Sequence, residues 1–158
     1  MKNLILSAIA TISVLFATNA KADEPVRFDA KNGMSIVVPG ETEIKTNDDE
    51  TIELEHDAFY FMAIAFDSNA ESEDAVSKSL VELAQTIKID LDNAQQDNYE
   101  LDDFAGYYMA SYIENTEYVS YCGVVYSKKV ENLGYLYFII GENADAAAAT
   151  LNSMEQAK

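Results

Sequence analysis

The segment Ala58-Phe59-Tyr60-Phe61-Met62-Ala63-Ile64-Ala65-Phe66 is apolar at nearly every position. A strand with one face in water alternates apolar and polar residues, so continuous apolarity predicts a central strand covered on both faces. The rest of the chain must therefore supply one layer above a sheet and another below it. Downstream, Ser68-Asn69-Ala70-Glu71 matches a helix capping box. Val76, Leu80, Leu83, Ala84 and Ile87 then recur at helical spacing, predicting an amphipathic helix through about Lys88.

Upstream, Val26, Phe28 and Ala30 alternate with polar residues, and Met34, Ile36 and Val38 do so again beyond Lys31-Asn32-Gly33. A two-residue Asn32-Gly33 loop would set Met34 against Lys31 and Ile36 against Asp29. A three-residue loop instead pairs Ala30 with Met34, Phe28 with Ile36 and Val26 with Val38. Only the second puts every apolar side chain on one face, with Gly33 in the left-handed region. Pro39-Gly40 ends the hairpin, and the polar stretch 41–50 reads as a loop. A strand over Thr51–Glu55 precedes the apolar run.

Beyond an acidic loop, 90–97, a meander is expected: Tyr99–Leu101, Ala105–Ile113, Tyr118–Ser127 and Gly134–Ile140. Its turns fall at Asp102-Asp103, Asn115-Thr116 and 128–132. Ala144, Ala147, Ala148, Leu151 and Met154 mark a closing helix over 143–154. The expected fold is α+β: an antiparallel sheet of about six or seven strands flanked by two helices, a three-layer α/β/α sandwich.

This order of elements resembles the PsbP-like fold family, to which DcrB-type bacterial periplasmic proteins belong. The residues that carry the likeness are Gly33-Met34-Ser35-Ile36-Val37-Val38-Pro39, Leu101-Asp102-Asp103-Phe104-Ala105-Gly106-Tyr107 and Leu151-Asn152-Ser153-Met154. These motifs are structural. The resemblance implies a fold and brings no functional residue with it.

Residues 1–22 read as a cleavable signal peptide. Lys2 gives the positive start, and the apolar stretch from Leu4 to Ala17 is shorter than the roughly 20 residues of a spanning helix. Ala20-Lys21-Ala22 supplies a small-x-small cleavage pattern, with cleavage expected after Ala22 or, alternatively, after Ala20. Residues 23–158 would then be a single globular domain. The one cysteine, Cys122, is far from the position a lipid-attachment signal requires. A periplasmic or secreted product with no membrane insertion after cleavage is expected. A lone cysteine also leaves no internal disulfide, and Cys122, in an apolar strand, reads as a small buried hydrophobe.

Cleavage would remove Lys2 and Lys21 and no acid, taking the formal charge from −18 to −20. Such a field repels nucleic acid and anionic lipid and favours a cationic partner or metal ions. Catalytic chemistry has little to stand on. His56 is the only histidine and, beside Asp57, reads as a turn residue; six scattered glycines form no phosphate loop.

The acidic clusters are Asn47-Asp48-Asp49-Glu50, Asp90-Leu91-Asp92-Asn93 and Asp102-Asp103. They offer hard oxygens, but the second lacks the glycine of an EF-hand loop. Tyr107, Tyr108, Tyr112, Tyr118, Tyr121, Tyr126 and Tyr135 concentrate in the meander, either as a ligand face or, more simply, as cross-strand packing. No catalytic or cofactor-binding residue is assigned, no cofactor is expected, and a metal site is left open. The expected function is a non-catalytic exported binding or interaction domain of the bacterial envelope. The alternatives are a carboxylate-using hydrolase of envelope carbohydrate or peptide and a calcium-responsive adhesion module.

Overall fold

The computed structural model describes residues 24–142 and 144–158, so the expected signal peptide lies outside the described residues. In chain order the elements are β1 (Pro25–Asp29), β2 (Met34–Pro39), β3 (Glu43–Asn47), β4 (Thr51–His56) and β5 (Phe59–Asp67), followed by helix α1 (Glu73–Thr86). Next come β6 (Gln95–Glu100), β7 (Phe104–Tyr112), β8 (Val119–Ser127) and β9 (Leu133–Gly141). Helix α2 (Ala144–Asn152) and the short β10 (Glu155–Gln156) close the chain.

Seven strands form one antiparallel sheet in the order β3-β4-β5-β9-β8-β7-β6, which places the apolar run β5 well inside it. Its two parities go to two cores, as continuous apolarity requires. Phe59, Phe61 and Ala63 join Tyr135, Tyr137 and Ile139 of β9 beneath α2. Tyr60, Met62 and Ile64 join Leu136, Phe138 and Ile140 beneath Leu80, Leu83 and Ala84 of α1 and Ile87 at its C-cap. The fold is α+β, with a helix on each face of a seven-stranded antiparallel sheet.

The hairpin has the three-residue loop. Val26 pairs with Val38 and Phe28 with Ile36, the Ala30 N–H donates to Met34 O at 2.8 Å, and Gly33 has φ +87°. It does not extend the large sheet, however. β1 and β2 form a separate three-stranded sheet with β10, and Met34, Ile36 and Val38 pack face-on into the core that α2 covers. A strand with three fully apolar inward side chains buries more area against a sheet face than alongside an edge.

Other boundaries moved for local reasons. Asp67 makes the turn before α1: its carbonyl accepts from Ala70 N–H at 3.1 Å and its carboxylate from Asn69 N–H at 2.9 Å. Ser68 is spent in that turn, and the N-cap falls at Ser72, whose Oγ accepts from Ala75 N–H at 3.2 Å, with Glu73 and Asp74 in the first turn. The stretch read as the loop 41–50 contains β3, whose single apolar residue, Ile44, is exposed. β6 likewise starts at Gln95, inside the expected acidic loop. Both are outer strands made by pairing with a neighbour, and no alternation announces them.

Candidate functional site

At one end of the large sheet three connections meet: the β6–β7 turn, the β8–β9 turn and the link from α2 to β10. The first is closed by Leu101 N–H donating to Phe104 O at 2.9 Å, which leaves Asp102 exposed and turns Asp103 inward. The second is tied to it by Lys128 N–H, donating to Asp103 O at 2.8 Å. Lys128 Nζ also donates to Glu100 Oε1 at 3.0 Å and to Leu101 O at 2.7 Å. Between these connections lies an open groove of about 700 Å³. Four carboxylates (Glu100, Asp102, Asp103, Glu155) and two ammonium groups (Lys128, Lys129) line it.

Asp103 is the organising residue of this groove. Only 4% exposed, it accepts from Lys129 Nζ at 2.5 Å on one carboxylate oxygen and from Gln156 N–H at 2.9 Å on the other. The Lys129 ammonium, helped by the Gln156 N–H, holds the carboxyl below its usual range against the opposing effect of burial. Gln156 is thereby fixed as the outer strand of the small sheet. Its Nε2 donates to Gly33 O at 2.6 Å, and Ser127 Oγ donates to its Oε1 at 3.0 Å. Glu155 pairs with Arg27 at 3.2 Å on the far strand. The groove therefore sits on the seam between the two sheets and is acidic on balance.

The remaining sequence candidates are scattered. His56 ends β4, its Nδ1 accepting from Ala58 N–H at 3.1 Å and its ring stacking on Phe59, in keeping with a turn residue. Asp48 Oδ1 accepts from Glu50 N–H at 3.0 Å and Thr51 N–H at 2.7 Å, holding the β3–β4 turn. Asp90 caps its own loop through Asn93, at 2.7 Å to the side-chain amide. Among the described residues no three His, Cys, Asp or Glu side chains converge as a metal set. Of the acidic clusters, only Asp102-Asp103 belongs to the groove.

The tyrosines do not form one ligand face. Tyr107 and Tyr126 pack with Phe66 on the α1 side, whereas Tyr108 and Tyr121 pack on the α2 side, and Tyr112 is exposed. Several hydroxyls bind the layers together. Tyr135 donates to Asn32 O at 2.8 Å, tying the sheet to the hairpin loop, and Tyr99 donates to Leu151 O, tying β6 to α2. Burial pushes the Tyr99 phenol well above its ordinary range.

Cys122 is fully buried on β8, and burial pushes its thiol far above the usual thiol range. The thiolate is the reactive form. Thiol reagents such as a dithiobis-nitrobenzoate are therefore expected to leave the native protein unmodified for hours and to label it fully in denaturant. Labelling of the native chain within minutes would contradict this placement.

Sequence reading singled out Asp102-Asp103 as a turn and an acidic pair but missed Lys129, Gln156 and Glu155. Glu155 and Gln156 act from β10, a two-residue strand with no periodic signal of its own, and Lys129 reaches Asp103 from the β8–β9 turn.

No helix among the described residues is long and apolar enough to cross a membrane. No protein-family model matches the chain, and no curated protein matches it. Among solved structures it is similar to a protein from Bacteroides thetaiotaomicron VPI-5482, known from a crystal structure at 1.50 Å resolution, with 15% identity and a TM-score of 0.51. The match covers 87% of this chain and 50% of that one, so the chain spans about half the length of the protein it resembles. At this identity the likeness concerns the fold alone.

Proposed function

We propose that this chain is a non-catalytic binding domain, exported to the periplasm or beyond the cell, that recognises a cationic partner. The observation that carries the reading is the groove at the seam of the two sheets, where four carboxylates outnumber two ammonium groups in a chain of formal charge −18. A cationic ligand gains there from the local carboxylates and from the long-range field, which raises its encounter rate at low salt. The PsbP-like relationship, and with it kinship to DcrB-type periplasmic proteins, is part of the same proposal. A helix on each face of an antiparallel sheet, in the expected chain order, supports it.

The test uses residues 23–158 immobilised and exposed to envelope extract, with the captured proteins identified by mass spectrometry. Enrichment of basic proteins that elute as salt rises toward about 0.5 M, where surface charges are largely screened, is the expected result. Capture with no bias toward basic proteins, or capture indifferent to salt, would count against the reading.

A further inference from the structure

We propose that β6 is the docking edge for the partner: a basic, extended peptide segment that adds to the large sheet as an eighth strand. This rests on the reading of the protein as a binder of cationic partners. The large sheet has two outer strands, β3 and β6, and they are built differently. β3 is defended against strand addition, since its register shifts between Ile44 and Thr46. It also carries Lys45, bonded to Glu43 at 2.7 Å and Glu55 at 3.0 Å. β6 has none of these devices. It pairs with β7 residue for residue from Gln95 opposite Ala110 to Glu100 opposite Ala105, with no bulge, proline or lysine.

The ladder fixes which backbone groups of β6 are available. Leu101 and Phe104 form the hydrogen-bonded pair that closes the β6–β7 hairpin. Hydrogen-bonded and non-hydrogen-bonded pairs alternate in an antiparallel ladder. Gln95, Asp97 and Tyr99 therefore turn their N–H and C=O groups toward β7, and Gln96, Asn98 and Glu100 turn theirs outward. The assignment agrees with the local bonding: the Asn98 N–H is taken by the Asp97 side chain at 2.7 Å rather than by β7. Gln96, Asn98 and Glu100 are all exposed. Three donors and three acceptors, two residues apart, thus await a strand of about five residues. The Asp97 bond in front of them is a single solvent-exposed contact that an incoming carbonyl can displace.

Charge selects the occupant. β6 carries Asp97 and Glu100 and no cation of its own. Its far end runs into the acidic groove through Glu100, which Lys128 already meets at 3.0 Å, so Asp97 and the overall field do most of the selecting. A second copy of this chain would bring two such edges and two fields of charge −18 together, whereas a basic segment meets both favourably. Asp97 and Glu100 lie on opposite faces of the strand, because side chains alternate. An added strand therefore gains most from a basic residue facing Asp97, and a second one three residues away can share Glu100 with Lys128 on the other face.

The test is titration of residues 23–158, labelled with nitrogen-15, with an acetylated and amidated eight-residue peptide of Lys and Thr. A Glu and Thr peptide serves as control. At saturation the amides of Gln96, Asn98 and Glu100 should exchange at least about tenfold more slowly, while those of β3 should not change. Asn98→Pro removes only an outward-pointing donor, and edge positions of this kind tolerate proline. It should weaken binding about tenfold or more. The exchange measurement on the wild-type chain stands even if that variant folds poorly.

Salt-sensitive binding of the Lys peptide with unchanged exchange at these three amides would overturn strand addition and leave the cationic reading intact. Failure of the Lys peptide to bind better than the Glu peptide would overturn both.

Discussion

Gly106→Ala is expected to destabilise the protein by about 3 kcal/mol or more, the range reached when backbone itself must move to admit a side chain. Gly106 lies in β7 between Tyr99 of β6 and Val125 of β8. A Cβ placed there would fall 1.9 Å from Val124 O and 2.8 Å from Val125 Cα. Both are backbone atoms of the adjoining strand, so no rotamer change relieves the clash. β7 and β8 would have to separate inside the large sheet, which would break ladder bonds.

Gly33→Ala makes a useful comparison. Gly33 has the left-handed φ of +87°, but a Cβ there meets only the ends of side chains, Gln156 Nε2 at 3.0 Å and Tyr135 Oη at 3.2 Å. Backbone strain of about 1–2 kcal/mol is the larger part of that cost. Urea unfolding of the two variants beside the wild type should rank Gly106→Ala well below Gly33→Ala. A Gly106→Ala protein within about 1 kcal/mol of wild type would contradict the packing of β7 against β8.

How much of this was legible in the sequence depends on whether local pattern or long-range pairing fixes each feature. β5 was legible because residues of both parities are apolar, and the structure divides them between two cores. The hairpin register was legible because only one loop length keeps Phe28, Ile36 and their neighbours on one face. Its destination was not. The alternation of Met34, Ile36 and Val38 reads the same whether the strand joins a sheet edge or lies across a sheet face. β3 and β6 were largely illegible, since Gln95-Gln96-Asp97-Asn98 becomes strand through the bonds that β7 offers. A polar outer strand carries no hydrophobic signature.

The seam groove is the extreme case. Asp103 was visible as half of an acidic turn, but Lys129 follows it across a hairpin and Gln156 approaches from the end of the chain. The apparent excess of acid on the surface thus concealed one carboxylate with a structural role.

That role leads to the second large effect. Asp103→Asn keeps an oxygen for the Gln156 N–H but gives up the charge that Lys129 meets. A loss of about 1–2 kcal/mol at pH 7 is expected, less than for a fully buried pair because Lys129 is more than half exposed. Asp103→Ala also strands the Gln156 N–H and should cost more, loosening β10 from β2 first.

The pH dependence has a defined sign. The folded carboxyl of Asp103 titrates below its ordinary range, so near and below pH 4 the unfolded chain binds the proton more readily than the folded one. The stabilisation is fully present above the ordinary carboxylate range and is lost as pH falls through the lowered value. Acid also relieves the mutual repulsion of the other carboxylates, which affects wild type and variant alike and cancels in their difference.

The stability gap between wild type and Asp103→Asn, measured by urea unfolding from pH 7 down to pH 3, should therefore hold steady to about pH 4.5 and narrow below it. A gap that stays constant to pH 3, or that widens as acid is added, would mean that the ionised carboxylate does not hold the two sheets together.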